Sequence, residues 1–99
     1  MAAYFIAQYV VTDPKLYREY QMTAAPTIQK SGGEVVAFDV AAETIEGTPP
    51  GPHTVVLKFE STDAAKAWYQ SAAYQAVVGK RLAATMGFAV ISQSMNLKG

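Results

Sequence analysis

Hydrophobic and polar positions change rhythm several times along the chain, and each rhythm implies a different backbone. From Ala3 to Val11 the alternation has period two, but apolar residues occupy both phases. Tyr4, Ile6 and Val10, with Gln8 among them, fall on one face; Phe5, Ala7, Tyr9 and Val11 fall on the other. Two largely apolar faces predict a strand covered on both sides. In so short a chain helices supply one cover, and a second subunit is the expected source of the other. Thr12-Asp13-Pro14 predicts a helix start, with Asp13 capping free N–H groups and Pro14 at the first helical position, where its missing N–H costs nothing. Tyr17, Tyr20, Ala24 and Ile28 then recur at helical spacing, with Arg18, Glu19 and Gln21 mainly on the wet side. Pro26 predicts a kink or break near Ala25. Ser31-Gly32-Gly33 ends the helix, because glycine accepts the left-handed cap geometry.

Alternation resumes from Glu34 to Val40, with Val36, Phe38 and Val40 on one face and Val35, Ala37 and Asp39 on the other. Glu43 to Glu46 is expected as a short extension of that strand. Gly47-Thr48-Pro49-Pro50-Gly51-Pro52 is a loop. Thr54 to Glu60 is a third strand, and Ser61, Thr62 or Asp63 caps the helix that follows. Ala65 and Trp68 share a face of that helix. Tyr74 would point well away from Trp68 if the helix ran on, because six residues at about 100° each is not a whole number of turns. A break at Ser71 resolves this. Ser71 caps a new helix in which Tyr74, Val77, Val78, Arg81 and Leu82 form one stripe. Phe88 to Ser94 is the last strand, and the tail beyond it is expected to be loose. Strand, helix, strand, strand, helix pair, strand is the ferredoxin-like βαββαβ plan of the α+β class, an antiparallel four-stranded sheet with helices on one face. The other sheet face remains apolar, and packing it on a second copy is the simplest way to bury it.

Composition narrows the functional classes. Ninety-nine residues, 51% of them hydrophobic, make one domain with a real core. Eight Lys and Arg balance eight Asp and Glu without a basic block, which argues against a nucleic-acid surface. The chain has no cysteine, so disulfides, thiolate chemistry and Cys-based metal sites are excluded. His53 is the single histidine, so a His-rich metal site within one chain is excluded too. No secretory signal or membrane span is legible, and no cofactor site is indicated. A cytoplasmic protein is the expectation.

Several of these residues together carry a resemblance: Asp13-Pro14, Tyr17, Tyr20, Pro26, Gly32-Gly33, Glu43, Glu46-Gly47, the Val55-Val56-Leu57-Lys58-Phe59 strand, Ala65, Trp68-Tyr69-Gln70-Ser71-Ala72-Ala73-Tyr74-Gln75 and Arg81. The chain resembles, over nearly its whole length, an uncharacterised bacterial family, domain of unknown function 1330. That family is similar in fold to the dimeric α+β barrel superfamily, in which two ferredoxin-like sheets face each other. The superfamily includes cofactor-free monooxygenases, haem-degrading enzymes, lactone isomerases and polyketide-tailoring proteins. The resemblance implies a homodimer and a cavity between sheet and helices, and no agreed activity. Two departures stand out. Ala72-Ala73 replace a Pro-Glu pair common in the family, and Lys58 stands where relatives often carry an acid. A polar partner for Arg81 on that strand is therefore expected to be missing or different.

Arg81 is the foremost candidate for chemistry. It lies at the centre of an apolar stripe, and a guanidinium does not shed its proton, so once buried it needs an anion. It either anchors a carboxylate, enolate or phenolate of a small molecule, or it snorkels past Val77 and Val78 or pairs with Asp39, Glu43 or Glu46. Trp68, Tyr69 and Tyr74 offer a flat lining for an aromatic ligand, although core packing suffices for Trp68. Tyr17 and Tyr20 bring the same chemistry on the first helix, or serve as core rings whose hydroxyls reach the surface. Gln8 is a candidate pocket hydrogen bonder. Asp39, Glu43 and His53 are the candidate proton carriers, with His53 expected in a solvated loop. Ser71 reads as a cap, since it lacks the strand–turn setting of a nucleophile. Three functional readings follow: a homodimeric pocket protein for a small aromatic or anionic metabolite, a non-catalytic dimer, and a cofactor-free oxygenase or isomerase by analogy of fold.

Overall fold

A computed structural model describes residues 1–95. The expected loose tail falls mainly beyond them, outside the described residues. The elements follow in the order β1 (Ala3–Val11), α1 (Pro14–Lys30), β2 (Glu34–Asp39), β3 (His53–Phe59), α2 (Thr62–Gln70), α3 (Ala72–Ala84) and β4 (Thr85–Gln93). The strands form one antiparallel sheet in the order β2-β3-β1-β4, the ferredoxin-like arrangement expected. The split of β1 into two faces holds. Ala3, Phe5, Ala7 and Tyr9 are buried beneath the helices, while Tyr4, Ile6 and Gln8 on the opposite face are half-buried and Val10 is exposed. Through the ladder, Met86, Phe88 and Val90 of β4 lie beside Val10, Gln8 and Ile6, and all three are exposed. That continues the apolar stripe across the open side of the sheet.

Local chemistry explains the helix limits. Asp13 Oδ1 accepts from the Leu16 amide at 3.1 Å, and Pro14 takes the first helical position. Of the kink or break expected near Ala25, the break does not occur, and α1 runs through Pro26 to Lys30. The ring removes the bond to the Met22 carbonyl four residues back. Pro26 and Met22 both lie on the exposed side, where water can satisfy that carbonyl. The helix closes where the Gly33 amide reaches back to the Ile28 carbonyl and Gly32 adopts a positive φ of 75°.

The Ser71 joint forms as the sequence indicates. Its Oγ accepts from the Tyr74 amide at 3.2 Å and donates to the Trp68 carbonyl at 2.7 Å, so one hydroxyl ends α2 and starts α3. The stripe on α3 is narrower than expected. Tyr74, Val78, Arg81 and Ala84 are buried, and Leu82 faces outward. Ser61, of the three residues considered, caps α2.

Three expectations for the strands are corrected. Glu43 to Glu46 form no strand; the chain there is a loop closed by the Ala42 amide on the Pro52 carbonyl at 3.0 Å. β4 begins at Thr85, with no loop after α3, because the Ala84 carbonyl is held by the Thr12 amide at 2.7 Å. In β2, Val35 pairs with Leu57 and Ala37 pairs with Val56, leaving Val36 as an extra residue. This bulge resets the alternation. Val35 and Phe38 therefore share the helix side, where strict alternation put them on opposite faces.

Candidate functional site

Leu57 and Val55 of β3, Phe5 and Tyr9 of β1, and Val35 and Phe38 of β2 form the floor of a cavity beneath α1. Tyr17, Tyr20, Ala24 and Ile28 form its roof, and the space measures about 150 Å³. α1 rests mainly on α3 and spans this part of the sheet without filling it. The lining is apolar except for Gln21 and the points where the tyrosines carry their hydroxyls. A cavity of about 150 Å³ is known to admit a single benzene ring, whereas pockets for larger ligands run to about 300 Å³ or more.

Four tyrosine hydroxyls are paired inside the protein, which sets aside the alternative that those of Tyr17 and Tyr20 reach the surface. Tyr9 and Tyr17 share a hydrogen bond of 2.7 Å, and Tyr17 Oη lies 3.1 Å from His53 Nε2. Tyr20 and Tyr74 share another, 2.8 Å long. His53 is not in a solvated loop. It is the first residue of β3, directly across the ladder from Tyr9, and only 8% exposed. Its ring stacks on Tyr9 at 5.3 Å and meets the edges of Tyr17 and Phe38 at 4.9 and 5.1 Å.

Arg81 stands against this network. It is 5% exposed, its Cζ lies 5.8 Å from the centre of the Tyr9 ring, and its Nε has no hydrogen-bond partner among the described residues. The snorkelling alternative is therefore set aside. Burial alone would lower its pKa, but the phenol oxygens of Tyr74, Tyr20 and Tyr9 outweigh this and hold it above the usual guanidinium value. Its polar surroundings are phenols, and among the described residues no carboxylate acts on it. Asp39 accepts from the Ala41 amide at 2.9 Å and is exposed, opposite Thr54 on the other side of the sheet. Glu43 and Glu46 lie exposed in the loop. Lys58 also faces the open side, so the departure at that position does not touch Arg81.

Burial raises the pKa of Tyr9, Tyr17 and Tyr20 above the ordinary value. The Tyr9 shift is reinforced by its bond to Tyr17, and that of Tyr20 by the neighbouring Tyr74. These groups are neutral phenols at physiological pH. For His53, burial lowers the pKa while the Asp39 charge opposes the shift, leaving a neutral imidazole near pH 7. The signs have consequences. An acid with a raised folded pKa contributes stability that is present below its unfolded value of about 10 and is lost as pH rises beyond it. Of the six tyrosines, these three are expected to stay protonated until alkaline unfolding. Absorbance at the tyrosinate band should show two phases, the later one coinciding with loss of far-ultraviolet ellipticity. A single phase in a still-folded chain would contradict the buried network.

The remaining candidates are placed as follows. Trp68 is fully enclosed by Phe5 at 5.2 Å, Phe59 at 5.2 Å and Tyr74 at 4.1 Å, with Nε1 donating to Thr27 Oγ1 at 3.1 Å; it lines no cavity. Tyr74 is buried behind Tyr20 and reaches the cavity only through that hydroxyl pair. Tyr69 packs on Tyr74 at 5.4 Å and opens toward a different groove, with Ala89, Val90 and Ile91. Gln8 is corrected most: it lies on the open sheet face, donating to Thr54 Oγ1 at 3.3 Å, with the sheet between it and Arg81. Tyr9 is the site residue that sequence reasoning missed. Its signal was its position on the inward phase of β1, in the same phase as Phe5 and Ala7. Among the described residues no group of three His, Cys, Asp or Glu side chains is placed to hold a metal, and no helix is long and apolar enough to cross a membrane.

The family model described as Domain of unknown function (DUF1330) matches residues 2–94. No curated protein sequence matches this one. Among solved structures, a protein of unknown function from Rhodopseudomonas palustris is similar with a TM-score of 0.74 and 16% identity, covering 96% of this chain and 83% of that one. SnoaB, a cofactor-independent oxygenase from Streptomyces nogalater, has a TM-score of 0.66 and 11% identity, covering 96% and 94%. HapK from Hahella chejuensis has a TM-score of 0.61 and 14% identity, covering 95% and 93%. At these identities the likeness is one of fold.

Proposed function

The chain belongs to the DUF1330 family, and from that premise we propose that it is a cytoplasmic homodimeric pocket protein that binds or converts a small, single-ring metabolite bearing an oxyanion. One observation carries the reading. Arg81 is a permanent cation, nearly sealed from water, with an unpartnered Nε and only neutral phenols around it. A buried charge of that kind is costly unless an anion meets it. Tyr9 and Tyr20, the phenols beside it, also wall the cavity. A ring in the cavity would have its oxygen oriented by these tyrosines and its charge balanced by Arg81. Tyr17 belongs to the same wall, while Trp68, Tyr69 and Tyr74 support it from behind. The test is calorimetric titration of the purified protein with phenols and benzoates, alongside mass spectrometry of any metabolite that co-purifies. Saturable binding that Arg81→Met abolishes is the expected result. Equal binding by that variant would sink the proposal.

The purely structural reading has less support, because it calls for Arg81 paired to an internal carboxylate and a filled interior. A catalytic version is favoured by one further observation, a hydroxyl–imidazole chain at the cavity wall. The cofactor-independent oxygenase that shares the fold makes oxygenation or isomerisation of an electron-rich phenol the reaction class to assay.

The dimer rests on the open sheet face. Phe88, Val90, Met86 and Val10 expose apolar surface there as one stripe. A second copy applied by the same face would bury it isologously. Light scattering at micromolar concentration is expected to give twice the chain mass, and Phe88→Lys to shift it toward one. A wild-type monomer would overturn this part alone.

A further inference from the structure

Tyr9, Tyr17 and His53 come from three elements and make an unbroken line. Tyr9 Oη and Tyr17 Oη are 2.7 Å apart, and Tyr17 Oη is 3.1 Å from His53 Nε2. Both tyrosines wall the cavity, and the imidazole is 8% exposed, clamped by the rings of Tyr9, Tyr17 and Phe38. The two ends of the line differ in charge. At one end Arg81 lies against the Tyr9 ring; at the other, Asp39 on β2 is the charged group that acts on His53. Facing the imidazole from β1, α1 and β2 are, in turn, the Tyr9 phenol, the Tyr17 phenol and the Phe38 ring, while the Asp39 carboxylate acts on it from the open side of the sheet. An anion is thus favoured beside Arg81, while burial holds the imidazole neutral in the empty protein and the Asp39 charge opposes this, so that an anion arriving at the Arg81 end is what would tip the ring to imidazolium.

We infer that Tyr17, with Tyr9, relays a proton from a phenol or enol entering the cavity to His53, so that the ligand binds as its oxyanion and the protein keeps the proton. The inference rests on the pocket reading above and specifies its substrate class. With Nε2 as acceptor, Tyr17 donates to His53 and Tyr9 donates to Tyr17, which leaves phenol lone pairs to accept from the ligand. The ligand O–H bond breaks as its proton passes to a tyrosine oxygen; the tyrosine proton moves along the line, and a new N–H bond forms at Nε2. The products are a ligand oxyanion and an imidazolium, with no net change of charge or electron count. A carboxylic acid needs no such relay, because it is already ionised at neutral pH, and an aliphatic alcohol is too weak an acid to use it. Phenols and enols lie between. The cavity has room for about one ring of it.

His53 is the single histidine, so its ring signals can be read without ambiguity. The experiment adds 4-nitrophenol to the ¹⁵N-labelled protein at a pH below the probe's own ionisation. Nuclear magnetic resonance reports the imidazole state, and visible absorbance reports the nitrophenolate. Expected on saturation are the anion band, a change of His53 from neutral ring to imidazolium, and binding heats that do not vary with the ionisation heat of the buffer. Tyr17→Phe keeps the ring in the wall and should leave the probe bound but neutral, with affinity lower by about tenfold. Binding of neutral 4-nitrophenol to the wild type, or an anion band with His53 still neutral, overturns the relay and leaves the pocket standing. A Tyr17→Phe protein that shows both signals unchanged also overturns it. Failure of 4-nitrophenol to bind at millimolar concentration overturns the pocket reading and the relay together.

Discussion

Arg81→Met is expected to make the ligand-free protein more stable while removing its ability to hold an anion. Methionine fills much of the same volume with apolar atoms and has no charge to desolvate. Replacing buried charges by well-packed apolar side chains is often neutral or stabilising, by about 1–4 kcal/mol. For a domain of this size each kcal/mol corresponds to a rise in Tm of about 4–8 °C. The side chain does make favourable contacts, with the Tyr9 face and the Tyr74 oxygen, and these set the lower end of the range. Calorimetric scans of both proteins, with and without a phenolate or benzoate, separate the contributions. The wild type should gain Tm with ligand by mass action, and the variant should not. A variant less stable than the wild type by 1 kcal/mol or more, on the order set by a lost charged hydrogen bond, would identify Arg81 as a strut of the core. A functional charge that opposes folding is a common form of the conflict between stability and function.

Trp68→Ala should have the largest effect on folding. The ring is the meeting point of β1, β3, α2 and α3, touching Phe5, Phe59, Tyr69 and Tyr74. It also ties α1 in, through Thr27. Truncating such a ring costs about 3–5 kcal/mol, against a total of about 5–15 kcal/mol for a typical domain. Urea unfolding followed by far-ultraviolet circular dichroism should show the midpoint collapsing toward zero denaturant. Trp68→Phe should lose much less, since Thr27 Oγ1 keeps its own bond to the Ala24 carbonyl at 2.6 Å. Near-normal stability of Trp68→Ala would mean that the helix pair is held on the sheet by something else.

The parts of the fold written in local chemistry were legible. Asp13-Pro14, Ser61 and Ser71 each announce a helix start through a side chain and its own backbone neighbours. Four apolar runs of the right length announce the strands. What stayed hidden depends on pairing across the chain. The bulge at Val36 is a property of β2 against β3, and nothing in Glu-Val-Val-Ala-Phe-Asp marks which residue is extra. Five of the six residues at 47–52 are Gly or Pro and argue for irregular backbone around them, yet His53 itself is pulled into the ladder by Tyr9 and shielded by Phe38. For Arg81 the burial was readable from its neighbours on the helix. Its want of a carboxylate was not, because Asp39, Glu43 and Glu46 lie in segments whose direction only the sheet decides. Gln8 misled for the converse reason: period two gave its face correctly, but not which face the helices cover.

The extra residue in β2 has a consequence for how such a cavity can diversify. Without it Val35 and Phe38 would sit two apart and still share the helix side opposite Leu57 and Val55, so the bulge can come or go while both wall residues, β1, β3 and every helix keep their places. β2 is an edge strand with all six residues exposed, so the interior would scarcely register the change. The outer wall of the chamber can therefore lengthen or shorten by one residue while the phenol–guanidinium side opposite stays as built.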